Sequence, residues 1–325
     1  MDTIDHIQKT VLPNGITVVS EHVDFVRSAA IGVWVEVGSR DENPGNNGIA
    51  HFMEHMVFKG TKNRSPFEIA NILESLGGNM NAFTGKELTC FYARVLDEHV
   101  PQAIDVISDI LLHPLFLPED VEKEKSVVLE ELNDLEDTPS EYIHELFINQ
   151  LYPEHPLGYN ILGTRDSIGN FTDNMIREFT SRYYLPERII VSVAGHVDHN
   201  YLVELVQNSL GQFNPGISNP RELELPQETE TGVKVHSNGL QQSHLVKGVR
   251  TFSYNDPRRY ALLVLNTILS GGMSSRLFQN IREKYGSVYS IYSFMDFYTD
   301  DGLFGVYVGT EKSQLDFMQE KIQEE

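Results

Sequence analysis

Two periodicities alternate along the chain. Asn14-Gly15, a pair suited to a two-residue hairpin turn, precedes the alternating run Ile16-Thr17-Val18-Val19-Ser20. Extended patterns recur over Ala29–Val37 and Leu88–Leu96, and Ile189–Ala194 is a continuous apolar strand before Gly195. Helical patterns lie between them. Ile49–Phe58 reads as a helix with mixed faces. Ser65-Pro66-Phe67-Glu68 supplies an N-cap, a proline at the first helical position and an early acid, and Gly77-Gly78 stops the helix it opens. Val100–Leu112 and the charged stretch Pro118–Leu135 follow as helices. Interleaved strands and helices with hairpin-like connections predict an α+β fold, with helices packed on a mostly antiparallel sheet.

The order of elements repeats. Gly15, Gly32, Ser65 and Gly77 are answered by Gly232, Gly248, Ser275 and Gly286, at offsets of 217, 216, 210 and 209. Between the copies, Gln212–Gly232 holds three prolines and four glutamates with little periodicity, as a linker does. The expected division is a first domain over 1–211, a linker over 212–232 and a second, homologous domain over 233–325. The second copy is expected to be shortened by roughly 90–100 residues relative to the first, as in a fragment of a longer protein.

Composition narrows the chemistry. Acidic residues outnumber basic ones 47 to 25, a formal charge of −22. That field repels nucleic acid and anionic membrane surfaces and favours basic partners. No stretch approaches 18 uncharged apolar residues, so no membrane span is expected, and the N-terminus lacks the pattern of a secretory signal. A cytoplasmic location is the expectation. The one cysteine, Cys90, excludes a disulfide framework within the chain, and its apolar neighbours mark it as a buried strand residue rather than a nucleophile.

The sharpest chemical signal is His51-Phe52-Met53-Glu54-His55. On a helix, residues four apart share a face, so His51 and His55 can offer two imidazoles to one ion. Glu54 is then placed to take a proton from water and deliver it to a leaving amine. The order is H-x-x-E-H, the inverse of the commoner zinc-protease motif. A third ligand is needed. On the helix over 118–135, Glu124, Val127, Val128, Glu131 and Leu135 follow one helical face. Carboxylates on an apolar face need a reason to be there. Glu131 on the metal, with Glu124 one step out and orienting a histidine, supplies that reason.

HFMEHMVFKGT, Glu131 and Glu124, together with Gly38-Ser39-Arg40-Asp41-Glu42 before the motif and Asn79–Thr84 after it, resemble the M16 metallopeptidase family. The likeness covers essentially the whole chain and is greatest to small bacterial members similar to the β-subunit of processing peptidases. The resemblance implies two homologous domains forming half of a clamshell. It implies one zinc ion per chain, held by His51, His55 and Glu131, with Glu54 as general base and Glu124 in support. It further implies a second copy without metal, whose Arg282 and Tyr289, seven apart, hold the substrate carbonyl and the oxyanion. Asn79–Thr84 would be an edge strand that captures an extended peptide, with Asn81, Ala82 and Phe83 beside the substrate. Glu141 and Glu145 would receive an arginine near the cleavage point.

The resulting expectation is a zinc endopeptidase for extended, unstructured, basic peptides, acting as a homodimer. The competing reading is a non-catalytic peptide-binding or structural subunit, as in relatives that have lost the metal. None of His51, Glu54, His55 and Glu131 is missing here.

Overall fold

The Asn14-Gly15 turn joins β1 (Ile7–Val11) to β2 (Thr17–His22), and Gly15 adopts the left-handed φ of 103° that a hairpin turn requires. These strands belong to a computed structural model that describes residues 6–213, 221, 223, 231–237, 239, 242–286 and 288–325. β3 (Ser28–Val35), β4 (Asn79–Thr84), β5 (Thr89–Leu96) and β6 (Ile189–Gly195) complete a six-stranded sheet in the order β1-β2-β6-β3-β5-β4. Only the β2–β6 pair is parallel, so the mostly antiparallel expectation holds. β4 ends the sheet.

The strands alternate. Val33, Phe91 and Val191 stand in one cross-strand row and are buried, facing helices α1 (Ile49–Val57) and α3 (Val100–Leu112), whose Phe52, Met56, Ile104 and Ile107 are also buried. α2 (Pro66–Glu74) begins at the expected Ser65 cap, whose hydroxyl accepts from Glu68 N while Glu68 reaches back to Ser65 N. α4 (Pro118–Glu136) buries Val121, Glu124, Val128 and Leu132. That stripe is displaced from the expected face. Val127 is 45% exposed, because a 3.6-residue period starting from Val121 passes through 124, 128 and 132.

The chain folds as two compact units: Met1–Leu132 with Asn160–Arg221, and Asn133–Tyr159 with Glu222–Glu325. Residues 133–159, inside the stretch expected to form the first domain, therefore fold with the second unit. Its sheet, β7 (Ser243–Arg250), β8 (Val288–Phe297) and β9 (Gly302–Thr310), has the order β7-β9-β8, fully antiparallel. That repeats the β3-β5-β4 order of the first unit, as the internal duplication predicts. Period-two alternation gives this sheet two apolar faces. Leu303 and Val246 pack with Phe147, Ile148 and Leu151 of α5 (Pro139–Leu151), whereas Val306, Val308 and Leu245 pack with Leu269 of α9 (Arg259–Ser270) and Met318 of α10 (Leu315–Glu324). Three more helices, α6 (Arg165–Asn170), α7 (Asp173–Tyr183) and α8 (His199–Leu210), lie in the first unit.

The repeat is imperfect at its start. Gly232–Val235, the counterpart of the β2 run, forms no strand, and Val233 and Val235 are 77% and 86% exposed. Alternation alone therefore does not make a strand there. The expected linker lies largely outside the described residues. Among the described residues no helix is long and apolar enough to cross a membrane.

Candidate active site

The helix that carries the histidines starts on a borrowed cap. Gly48, at φ 93°, has no side chain to satisfy the first helical N–H groups. Glu42 does so instead, accepting from Gly48 N at 2.7 Å, Ala50 N at 2.8 Å and Asn47 Nδ2 at 2.9 Å. Burial pushes the Glu42 carboxyl up to about 7 despite those three donors. Phe52, Met53, Met56 and Val57 are fully buried, and Phe52 meets Phe171 edge-on at 5.1 Å. With the apolar residues committed to the core, His51 and His55 share the face that borders α4, their ring centroids 4.5 Å apart.

Donor atoms of His51, His55 and Glu131 all lie within 4.8 Å of one another. His51 Nε2 is 3.8 Å from Glu131 Oε2, and His55 Nε2 is 3.7 Å from Glu131 Oε1. A tetrahedral ion with bonds of about 2.1 Å separates its ligands by roughly 3.4 Å, so the three residues fit zinc and leave a position open. Among the described residues no other such group occurs. Burial, together with the neighbouring His55, lowers His51 to about 3, which keeps it neutral as a ligand must be. Its Nδ1 is buried without a hydrogen-bond partner.

Glu124, 3% exposed, bonds His55 Nδ1 through Oε1 at 2.8 Å and Lys59 Nζ through Oε2 at 2.5 Å. Burial alone would raise its pKa, but these two partners outweigh burial and hold it below the usual carboxylate range. Burial opposes charge on His55 as well; the Glu124 bond and the surrounding carboxylates reverse that and raise it. Glu54 is 9% exposed, and burial raises its pKa even though Thr84 Oγ1 donates to its Oε2 at 2.5 Å. Thr84 lies in the expected edge strand and Lys59 in the HFMEHMVFKGT motif, but the sequence assigns neither a contact with the site carboxylates. Their only signal is local spacing: Thr84 shares a strand face with Ala82, and Lys59 stands one turn beyond His55.

Asn81, Ala82 and Phe83 lie on β4 at the sheet edge. Phe83 is 46% exposed and meets Trp34 edge-on at 5.8 Å. Ala82 N donates to Oδ1 of Asn81 at 2.9 Å. Cys90, paired opposite Phe83, is buried, and burial pushes its thiol up to about 12, which suits a structural residue.

The remaining expected residues belong to the second unit. Glu141 and Glu145 stand one turn apart on α5. Arg282 is exposed on a π-helical turn, Phe278–Glu283, with its guanidinium 4.8 Å from the Phe278 ring centroid. Tyr289, 82% exposed, sits where the β8–β9 register slips between Val288 and Ser290.

Residues 17–165 match the family model described as insulinase, peptidase family M16, and residues 170–325 match that of the peptidase M16 inactive domain. An uncharacterized zinc protease of Streptomyces coelicolor is 42% identical over 318 residues, covering 96% of this chain and 69% of the relative. The uncharacterized zinc protease YmxG of Bacillus subtilis is also 42% identical, over 98% of this chain and 77% of the relative. A protease from Helicobacter pylori superposes with a TM-score of 0.88 at 25% identity, over 94% of this chain and 75% of that one. The peptidase M16 inactive domain from Pseudomonas fluorescens shares the fold, with a TM-score of 0.91 at 20% identity over 98% of this chain and 77% of that one. With both halves matched by its models and such relatives along nearly its whole length, this chain belongs to the M16, or insulinase, family of zinc peptidases.

Proposed function

We propose that this protein is a zinc-dependent endopeptidase that cuts extended, unstructured peptides, with one zinc ion per chain held by His51, His55 and Glu131. The observation that carries the reading is the convergence of those three donors beside a buried carboxylate, Glu54, one residue from a ligand. Bound zinc would supply Lewis acidity to the scissile carbonyl and the attacking water.

Glu54 takes the proton of that water as its oxygen adds to the carbonyl carbon, then delivers it to the amide nitrogen as the C–N bond breaks. His55 is held to one orientation by Glu124. The free edge of β4 receives the peptide by main-chain pairing, with Asn81, Ala82 and Phe83 alongside. Arg282 and Tyr289 would stabilise the oxyanion, a role carried over from the family resemblance and compatible with their exposure. Glu141 and Glu145 would select arginine near the cut, in keeping with the net charge of −22. We further propose a homodimer located in the cytoplasm.

Mass spectrometry of an unstructured, arginine-rich peptide of about 20–30 residues tests this, a length that spans a main-chain pairing site with room on both sides of the cut. Internal cuts by the parent, stopped by a chelator and absent from Glu54→Gln, are expected. A Glu54→Gln variant that cuts like the parent, or cuts that survive metal removal, would overturn the proposal.

A further inference from the structure

The segment Gly38–Glu42 touches both elements that meet at Glu54. At its end, Glu42 holds the first N–H groups of α1. At its start it grips the β4–β5 turn: Ser39 N donates to Gly85 O at 3.2 Å and Arg40 N to Lys86 O at 2.7 Å. The Arg40 guanidinium, on a side chain 3% exposed, meets Glu87 at 2.7 Å. Asp41 accepts from Gly38 N at 3.0 Å and twice from Arg221, at 3.0 and 2.6 Å, while Arg221 also donates to Glu87 O at 3.0 Å. Gly38 is extended, so its glycine is there for space: a Cβ would lie 2.4 Å from Gly85 O and 2.6 Å from the Lys86 carbonyl carbon.

The five-residue segment whose last member, Glu42, caps the catalytic helix therefore also fixes the turn that follows β4. Thr84 is the last residue of β4, directly before that turn. We infer that Thr84 is a positioning residue for Glu54, and that Gly38–Glu42 is the bracket that sets its reach. The terminal torsion of a glutamate is broad and nearly two-fold, so a buried backbone anchor alone does not fix where the carboxylate oxygens point. The Thr84 hydroxyl fixes them by tying down Oε2, and Oε1 remains for the proton that moves in catalysis. Because Thr84 stands on the edge strand, the base and the peptide-pairing backbone share one rigid frame.

This inference rests on the zinc-peptidase reading, and the experiment separates the two. Parent, Thr84→Val, Thr84→Ser and Glu54→Gln are compared for kcat, KM, zinc content and thermal melting on one unstructured peptide. Thr84→Val keeps the shape and removes the donor. It is expected to lower kcat by about 10–100-fold, the usual effect of losing such a partner. KM should change by no more than about twofold, since the lost contact serves the transition state rather than peptide binding. Zinc content and melting should match the parent, and Thr84→Ser should restore most of kcat. A Thr84→Val variant with the parent kcat, or a loss that serine does not restore, would overturn the positioning role and leave the peptidase reading standing. A parent without chelator-sensitive, Glu54-dependent cleavage would overturn both.

Discussion

Nδ1 of His55 sits 2.8 Å from Oε1 of Glu124, and that bond turns the other ring nitrogen, Nε2, toward Glu131. Lys59 occupies the second oxygen of Glu124, so the carboxylate is held on both sides.

Glu124→Gln removes the charge from this arrangement while nearly preserving its shape. Zinc affinity, measured by competition with a chromophoric chelator, is expected to fall about 10–100-fold. An unchanged affinity would show that ring orientation is set by packing alone.

Glu42 makes stability depend on pH. Its folded pKa of about 7 lies above the ordinary 4.5, so the folded protein holds this proton more firmly than the unfolded chain does. The resulting stabilisation is complete below pH 4.5 and is lost as pH rises to about 7. Urea unfolding at pH 5 and pH 8 should show a larger loss for the parent than for Glu42→Gln, which cannot titrate. Equal losses would mean that the Asn47, Gly48 and Ala50 donors, with Lys86 nearby, hold Glu42 ionised in the folded state as well.

Gly38→Ala puts a methyl group into backbone that cannot yield cheaply. A cost of about 1–3 kcal/mol in unfolding free energy is expected, the usual penalty for overpacking. Because the displaced atoms belong to the turn after Thr84, kcat should fall further than the loss of stability explains.

Glu141→Gln combined with Glu145→Gln tests the preference for arginine. Matched peptides carrying arginine or norleucine near the cut should differ in kcat/KM for the parent. For the double variant that ratio should shrink by about tenfold, in line with one charge-assisted hydrogen bond. An unchanged ratio would remove both glutamates from substrate selection.

What was legible in the sequence was what short-range periodicity encodes. His51, Glu54 and His55 could be placed on one helix because four residues make about a turn, and Glu124 and Glu131 because seven make two. The full sheet order is not encoded in short-range periodicity: the pattern over Asn79–Thr84 says strand, and its place at the sheet edge, which the structure bears out, was implied by the family resemblance alone. Thr84 lies 30 residues from Glu54, so no local periodicity joins the two. In α5, Phe147, Ile148 and Leu151 announce an apolar face, but no local rule says that its partner is the second sheet. On α4 the face shared by Glu124 and Glu131 differs from the buried stripe through Val121, Glu124, Val128 and Leu132, which leaves Val127 outside, because the apolar residues and not the carboxylates set the inner face.

Oδ1 of Asn81 already occupies the N–H of Ala82, on the strand that ends the sheet. A bare edge would recruit any extended segment, including another copy of the same strand. Here the carboxamide is a resident competitor, and a visiting backbone gains that N–H only by evicting it. A brief contact cannot recover that loss, whereas a long flexible segment recovers it over several successive backbone bonds. Discrimination by length and looseness would thus begin at the doorway, before any bond is broken.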